Sequence, residues 1–123
     1  MSDPAIPTAP SPSSPLPAMP IEPAWIIEGQ PEARGRVLMQ SKDQCVSSGF
    51  WECTAGKFQW VFGWDEFVNI QEGEVTIREE NGPTHTLKAG DSAHFPLSLK
   101  TYWTVPKYVR KFFVLRTPQP FKL

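Results

Sequence analysis

The sequence is poor in the residues that most often disclose a chemistry. Among 123 residues there are two histidines and two cysteines. Cys45 and Cys53 are too few for a disulfide framework, and they lack the CxxC spacing of a zinc or redox pair. An excess of one charge is missing as well: 12 Lys and Arg stand against 13 Asp and Glu, a net of −1. Nothing electrostatic therefore recommends a nucleic acid or an anionic membrane as a partner. No apolar run nears the roughly 20 residues of a membrane span. The opening MSDPAIPTAP has neither the basic n-region nor the apolar h-region of a secretory signal. A cytoplasmic protein that binds neither nucleic acid nor membrane is expected. Helical periodicity is absent too, since no long segment keeps its apolar positions at helical spacing.

Proline is abundant, and unevenly placed. Eight of the 14 prolines fall within the first 23 residues, among Ser and Ala. Proline fixes φ and removes a backbone donor, so residues 1–23 are expected to form a disordered, polyproline-like tail. Such tails also serve as docking ligands for aromatic grooves, but no Arg or Lys flanks the PxxP forms here. Residues 24–123 are left as a single domain, enough chain for one modest core.

From Trp25 onward, short runs of Val, Ile, Phe, Tyr, Trp and Thr alternate with Gly, Asn, Asp and Pro. They predict strands over 36–40, 47–54, 57–62, 66–71, 74–79, 84–88, 92–95, 99–105 and 109–116. Turn signals stand at Glu72-Gly73, Asn81-Gly82-Pro83 and Ala89-Gly90-Asp91. Strands this short and this evenly spaced indicate an all-β sandwich or small barrel. Closure into a barrel-like double sheet is expected, because a flat sheet of nine strands would leave long edges exposed.

Two stretches then resemble a known pattern. Glu66 is followed by six residues and Gly73, like the second half of the first cupin motif. Gly90 is followed by five residues and Pro96, like the opening of the second. With Trp51, Trp103 and the ending Val109-Arg110-Lys111-Phe112-Phe113, residues 33–116 resemble one cupin subfamily. It is the subfamily named for (S)-ureidoglycine aminohydrolase, which also includes a domain of ethanolamine-utilisation protein Q. The resemblance implies an RmlC-like double-stranded β-helix, a jelly-roll barrel whose mouth holds ligands, and a homodimer.

In metal-binding cupins a His-x-His pair precedes the glutamate and a third histidine follows the proline. Counting back from Glu66 puts either Gln59 and Val61 or Trp60 and Phe62 at the first two positions, and the spacing leaves both registers open. Thr101 falls at the third, and Ser98 stands at the usual glycine. Only Glu66 keeps a strong ligand, so no metal and no other cofactor is expected, and the aminohydrolase activity does not carry over. His85 and His94 miss the motif positions. They read more simply as structural or surface residues, with an irregular site joining either to Glu66 as the rival.

Strand alternation suggests what would share the interior with Glu66. Thr101 and Trp103 belong to one face. In the last strand Lys111, Phe113 and Leu115 share a face, and periodicity alone leaves its direction open. An inward Lys111 would pair with Glu66 and fill the charge space a metal fills in other cupins. Trp60, Phe62 and Trp103 are candidate walls, with Gln59, Thr101 and His94 as further ligand-binding candidates. Ordinary core filling is the competing reading for each aromatic. Trp64, in a turn, is expected near the mouth or at a dimer contact. The favoured function is a metal-free pocket for a small polar or partly planar metabolite. A metal-independent isomerase or lyase using Glu66 with Lys111, and a structural or partner-binding cupin with a filled barrel, are the alternatives.

Overall fold

Runs of β-branched and aromatic residues do pair as strands, but in longer strands than the turn residues suggest. The computed structural model describes residues 5–122. A single 3-10 turn, Pro23–Trp25, leads into β1 (Ile26–Gly29) and β2 (Ala33–Gln40). Three long strands follow, β3 (Val46–Val61), β4 (Asp65–Glu79) and β7 (Lys100–Arg116), with the short β5 (Thr84–Lys88) and β6 (Ser92–Phe95) between the last two. All neighbouring pairs are antiparallel.

Each long strand contributes to two layers. The first half of β3 pairs with β2 and the second with β1. The first half of β4 pairs with β6 and the second with β5, while β7 lies between β3 and β4 along its length. Register shifts in the β3–β7 pairing at Thr54/Gly56, and in the β4–β7 pairing at Ile70/Glu72 and Gly73/Thr76, mark where the strands bend. A bulge inserts a residue and bends the strand. It also flips side-chain parity. In β3 the buried series Trp51 and Cys53 is odd before the shift, and the series continued by buried Phe58 and Phe62 is even after it. Without the shift, one half of β3 would send its aromatics to solvent. The expected turn at Glu72-Gly73 is therefore a bend inside β4. Gly73 has φ +73°, and a Cβ there would collide with the Tyr108 carbonyl oxygen. The other two turn signals do end strands, around Asn81 and Gly90.

The layers meet face to face through aromatic rings. Trp103 lies 5.9 Å from Trp51, 5.7 Å from Phe58 and 5.6 Å from Phe95, and Phe62 stacks on Phe95 at 4.7 Å. This is the cupin β-fold, all-β as expected, but hydrogen bonding does not close it. β1 and β2 remain at one end of the path, and β5 and β6 at the other. Among the described residues, no helix is long and apolar enough to cross a membrane.

The free edge of β2 is taken by the segment expected to be a disordered tail. Residues 1–4 lie outside the described part. Met19 N–H donates to Ala33 O and Gly35 N–H to Pro17 O, and Ala18 bridges Arg34. Leu16 and Ile21 are buried. The reason is a charge pair on the outer face of the sheet. Arg110 Nη1 lies 2.9 Å from Glu52 Oε1, and both side chains are buried beneath residues 12–16. Ser14 Oγ donates to Glu52, as does Leu16 N–H, and Arg110 Nη2 donates to Pro12 O at 2.6 Å. Proline removes donors from the chain, but the Leu16 and Met19 N–H groups and the Pro12, Leu16 and Pro17 carbonyls find partners on the sheet.

Burial pushes the Glu52 carboxyl up. The Ser14 hydroxyl, the Leu16 N–H, the Tyr108 hydroxyl and the Arg110 charge outweigh burial and hold it below the usual 4.5. A carboxylate with a depressed folded pKa stabilises above its unfolded pKa, and that stabilisation is lost as pH falls through the folded one. Arg110→Met is expected to cost about 3–5 kcal/mol in urea unfolding at pH 7, because it strands a buried carboxylate. Amide-exchange protection factors at Leu16 and Met19 are expected to fall as wild type is acidified below pH 4.5, and to be nearly independent of pH in Glu52→Gln. An acid limb of equal size in both proteins would contradict this account of Glu52.

Candidate functional site

Glu66 is the first inward residue of β4, directly after the tight link that follows Phe62. The link brings Trp64 back over it, and Trp64 Nε1 donates to Glu66 Oε1 at 2.8 Å. On β7, Lys111 stands opposite Trp51 of β3 and Ile70 of β4, on the face that points between the layers. Its ammonium donates to Glu66 Oε2 at 2.6 Å. Glu66 is 4% exposed and Lys111 6%, so both charges sit in the interior. Lys111 Nζ is also 4.6 Å from the Trp51 ring centre and 4.9 Å from that of Trp103, within cation–π range of both. The ammonium is held by one carboxylate and two indole faces.

The two charges open onto a cavity of about 290 Å³ between the layers. Trp51, Phe58, Trp60, Phe62, Trp64 and Trp103 form most of its aromatic wall. Val37, Phe113 and Leu115 add to it, and the ends of the chain contribute Met19 and Phe121. Phe121 packs edge-on against Trp64 at 5.9 Å. Behind the wall, Trp103 Nε1 donates to Thr101 Oγ1, which donates to Trp60 O. That chain fixes the Trp103 ring.

Of the residues singled out in the sequence, the structure brings Glu66, Lys111, Trp60, Phe62 and Trp103 together around this cavity. It also settles the open register ahead of Glu66. Trp60 pairs with buried Thr101 and faces inward, as Phe62 does. Gln59 pairs with Tyr102 on the opposite face, so it is not a cavity residue. Thr101 lies inside, but behind Trp103 rather than on the cavity surface. His94 does not line the Glu66 cavity. It is outside, stacked on Phe67 at 4.3 Å, and 3.3 Å from Asp65 Oδ1. The cause is strand parity: His94 pairs with Phe67, the neighbour of Glu66 that faces away from it. His85 pairs with Glu79 at 2.6 Å at the open edge and does not line the Glu66 cavity. Met19 and Phe121 carry no signal in the sequence, because no strand pattern ties either to the barrel.

A divalent metal does not fit this donor set. The imidazole positions of a metal cupin hold Trp60, Phe62 and Thr101, and the one carboxylate is engaged by Lys111 and Trp64. Among the described residues, no three His, Cys, Asp or Glu side chains are grouped to hold an ion. Cys53 is buried, and its burial pushes the thiol up to about 12 against the pull of the Lys111 charge. It is inert as a nucleophile at neutral pH.

The comparisons with known proteins agree with the fold. The EutQ-like cupin domain model matches residues 40–113. A protein of unknown function of the DUF861 family from Pseudomonas syringae pv. tomato superposes with a TM-score of 0.74 at 28% identity. That match covers 80% of this chain, which spans only 43% of the length of the Pseudomonas protein. A protein described as ethanolamine utilization protein Q from Salmonella typhimurium LT2 gives a TM-score of 0.60 at 27% identity, covering 72% of this chain and 70% of its own. The Clostridium difficile EutQ protein shares the fold, with a TM-score of 0.64 at 17% identity over 80% of this chain and 81% of that one. No curated protein matches the chain by sequence.

Removing one member of a buried pair leaves an unpaired charge, which costs about 3–5 kcal/mol. Lys111→Met and Glu66→Gln are each expected to destabilise on that scale in urea unfolding, and the double variant by much less than the sum of the two. Additive losses would mean that the pair does not act as one unit. In thiol titration of the native protein, Cys45 is expected to react and Cys53 only after unfolding.

Proposed function

The chain belongs to the EutQ-like cupin family, and we propose that within it the chain works as a small-molecule binder whose site uses no metal. The observation that carries this reading is the buried Lys111–Glu66 pair at the wall of an aromatic cavity of about 290 Å³. Small-ligand sites are concave and mostly apolar, with few polar groups placed for orientation. Here an internal ammonium supplies the positive charge, and Glu66 neutralises it. The cavity counts against a barrel filled by its own side chains.

The enzyme reading has less support. Both Glu66 oxygens are engaged, by Trp64 and by Lys111, and neither histidine lies against the pair. The Cys53 thiol is pushed up to about 12. A binder needs none of these groups to change protonation state. The Pseudomonas relative is of unknown function, so no reaction is carried from it into this reading.

Screening a library of one- and two-ring compounds against the full chain tests it, with tryptophan emission and Tm as readouts. Some compounds are expected to quench emission saturably and to raise Tm, since binding to the folded state alone stabilises by about 2.7 kcal/mol at a hundredfold excess over Kd. Val37→Trp, which places a ring into the cavity without touching the charged pair, is expected to abolish both effects. If no compound binds wild type, the reading fails.

A further inference from the structure

We propose that the cavity selects a neutral, flat, single-ring ligand bearing one hydrogen-bond-accepting oxygen, an aryl ketone in chemical class, with that oxygen on Lys111 Nζ. This rests on the small-molecule reading above and names the chemistry that reading leaves open.

The argument is an inventory of polar groups. Trp64 Nε1 is spent on Glu66 Oε1, and Trp103 Nε1 on Thr101 Oγ1. Glu66 accepts at both oxygens. Lys111 carries three N–H donors and makes one hydrogen bond, to Glu66, among the described residues. Its other neighbours are the Trp51 and Trp103 rings. The Trp51 and Trp60 indole N–H groups likewise make no hydrogen bond among the described residues, so the unspent polar capacity of the wall is donor capacity, with its one charged donor on Lys111, and an acceptor is what it recognises.

Charge narrows the class further. A cationic ligand would compete for Glu66 and the two indole faces with an ammonium tethered to the chain. An anionic ligand would bring a second negative charge beside Glu66 in a low-dielectric interior, where like charges repel strongly. A ligand without an acceptor leaves the Lys111 donors as they are in the empty cavity. A neutral oxygen satisfies a charged donor, and hydrogen bonds to charged groups are the strong ones. Size agrees: an apolar void of about 150 Å³ holds benzene, and this cavity is about 290 Å³. One ring with a short substituent fits this volume, beside the Trp51 and Trp103 rings that flank Lys111.

The test compares four probes of nearly equal size on the full chain: acetophenone, ethylbenzene, benzylammonium and benzoate, each titrated against tryptophan emission. Acetophenone is expected to bind about tenfold or more tightly than ethylbenzene, and more tightly than either ion. Its bound carbonyl stretch is expected at lower frequency than in alkane solvent. The Lys111→Met/Glu66→Gln double variant, which keeps the core neutral so that it folds, is expected to bind acetophenone and ethylbenzene equally and to lose the carbonyl shift. Ethylbenzene binding as tightly as acetophenone to wild type, or either ion binding tightest, overturns the ligand class while small-molecule binding stands. If none of the four binds and the wider library is silent too, both readings fall.

Discussion

The interior depends on one contact, the 2.6 Å ion pair between Lys111 of β7 and Glu66 of β4. An ammonium or a carboxylate alone in this aromatic interior would be untenable, because the penalty for taking a charge out of water is large. Each is tolerated because the other is present, and because Trp51, Trp103 and Trp64 complete the shells of both. The pair in turn sets what the surrounding space can hold. In the metal-binding pattern, three imidazoles and a carboxylate surround a cation that comes from solution. Here the cation is a side chain, so the imidazole positions are free to carry Trp60 and Phe62, and the metal-binding pocket becomes an aromatic one.

A second buried pair lies on the other side of the same strand. Arg110 and Lys111 are consecutive, so strand alternation sends one cation outward and the other inward. Across the ladder, Glu52 stands opposite Arg110 and Trp51 opposite Lys111. Consecutive residues of β3 thus meet one cation with a carboxylate and the other with a ring face. The outer pair collects Ser14, Leu16 and Pro12 and lays the N-terminal segment along β2. Continuing from that anchor, the segment brings Met19 to the cavity wall.

Much of the fold was legible from residue runs, because alternating aromatic and β-branched residues have few other ways to bury one face. The nine expected runs became six strands, with β1 outside all of them, because a register shift and a turn use similar residues. Gly73 looks like a turn glycine, and its positive φ is real, but it serves a bend in β4 that lets Val109 and Tyr108 pass close by. Local composition cannot separate the two, since the difference is whether the chain continues in the same direction. The site shows the same division. Glu66 and Lys111 were readable because a buried carboxylate needs a partner and an inward Lys111 would supply one, although periodicity left open whether the Lys111 or the Arg110 face turns inward. His94 stands off the motif's ligand positions and carried no parity signal, and its pairing with Phe67 turns it out to Asp65.

The tail was the least legible part, and the reason is energetic rather than statistical. Eight prolines in 23 residues argue for disorder only if the segment has nothing to bind. Proline also lowers the entropy of the free chain, so holding an already extended segment against a partner costs less than holding an ordinary one. With a buried Arg110–Glu52 pair offering a guanidinium to the Pro12 carbonyl and a carboxylate to Ser14 and Leu16, that smaller cost is met by charge-assisted hydrogen bonds. The composition that suggests disorder in isolation thus suits a strap once the barrel presents a buried charge pair to hold it. A sequence window of the tail cannot register that pair, because its two members lie 38 and 96 residues beyond Ser14.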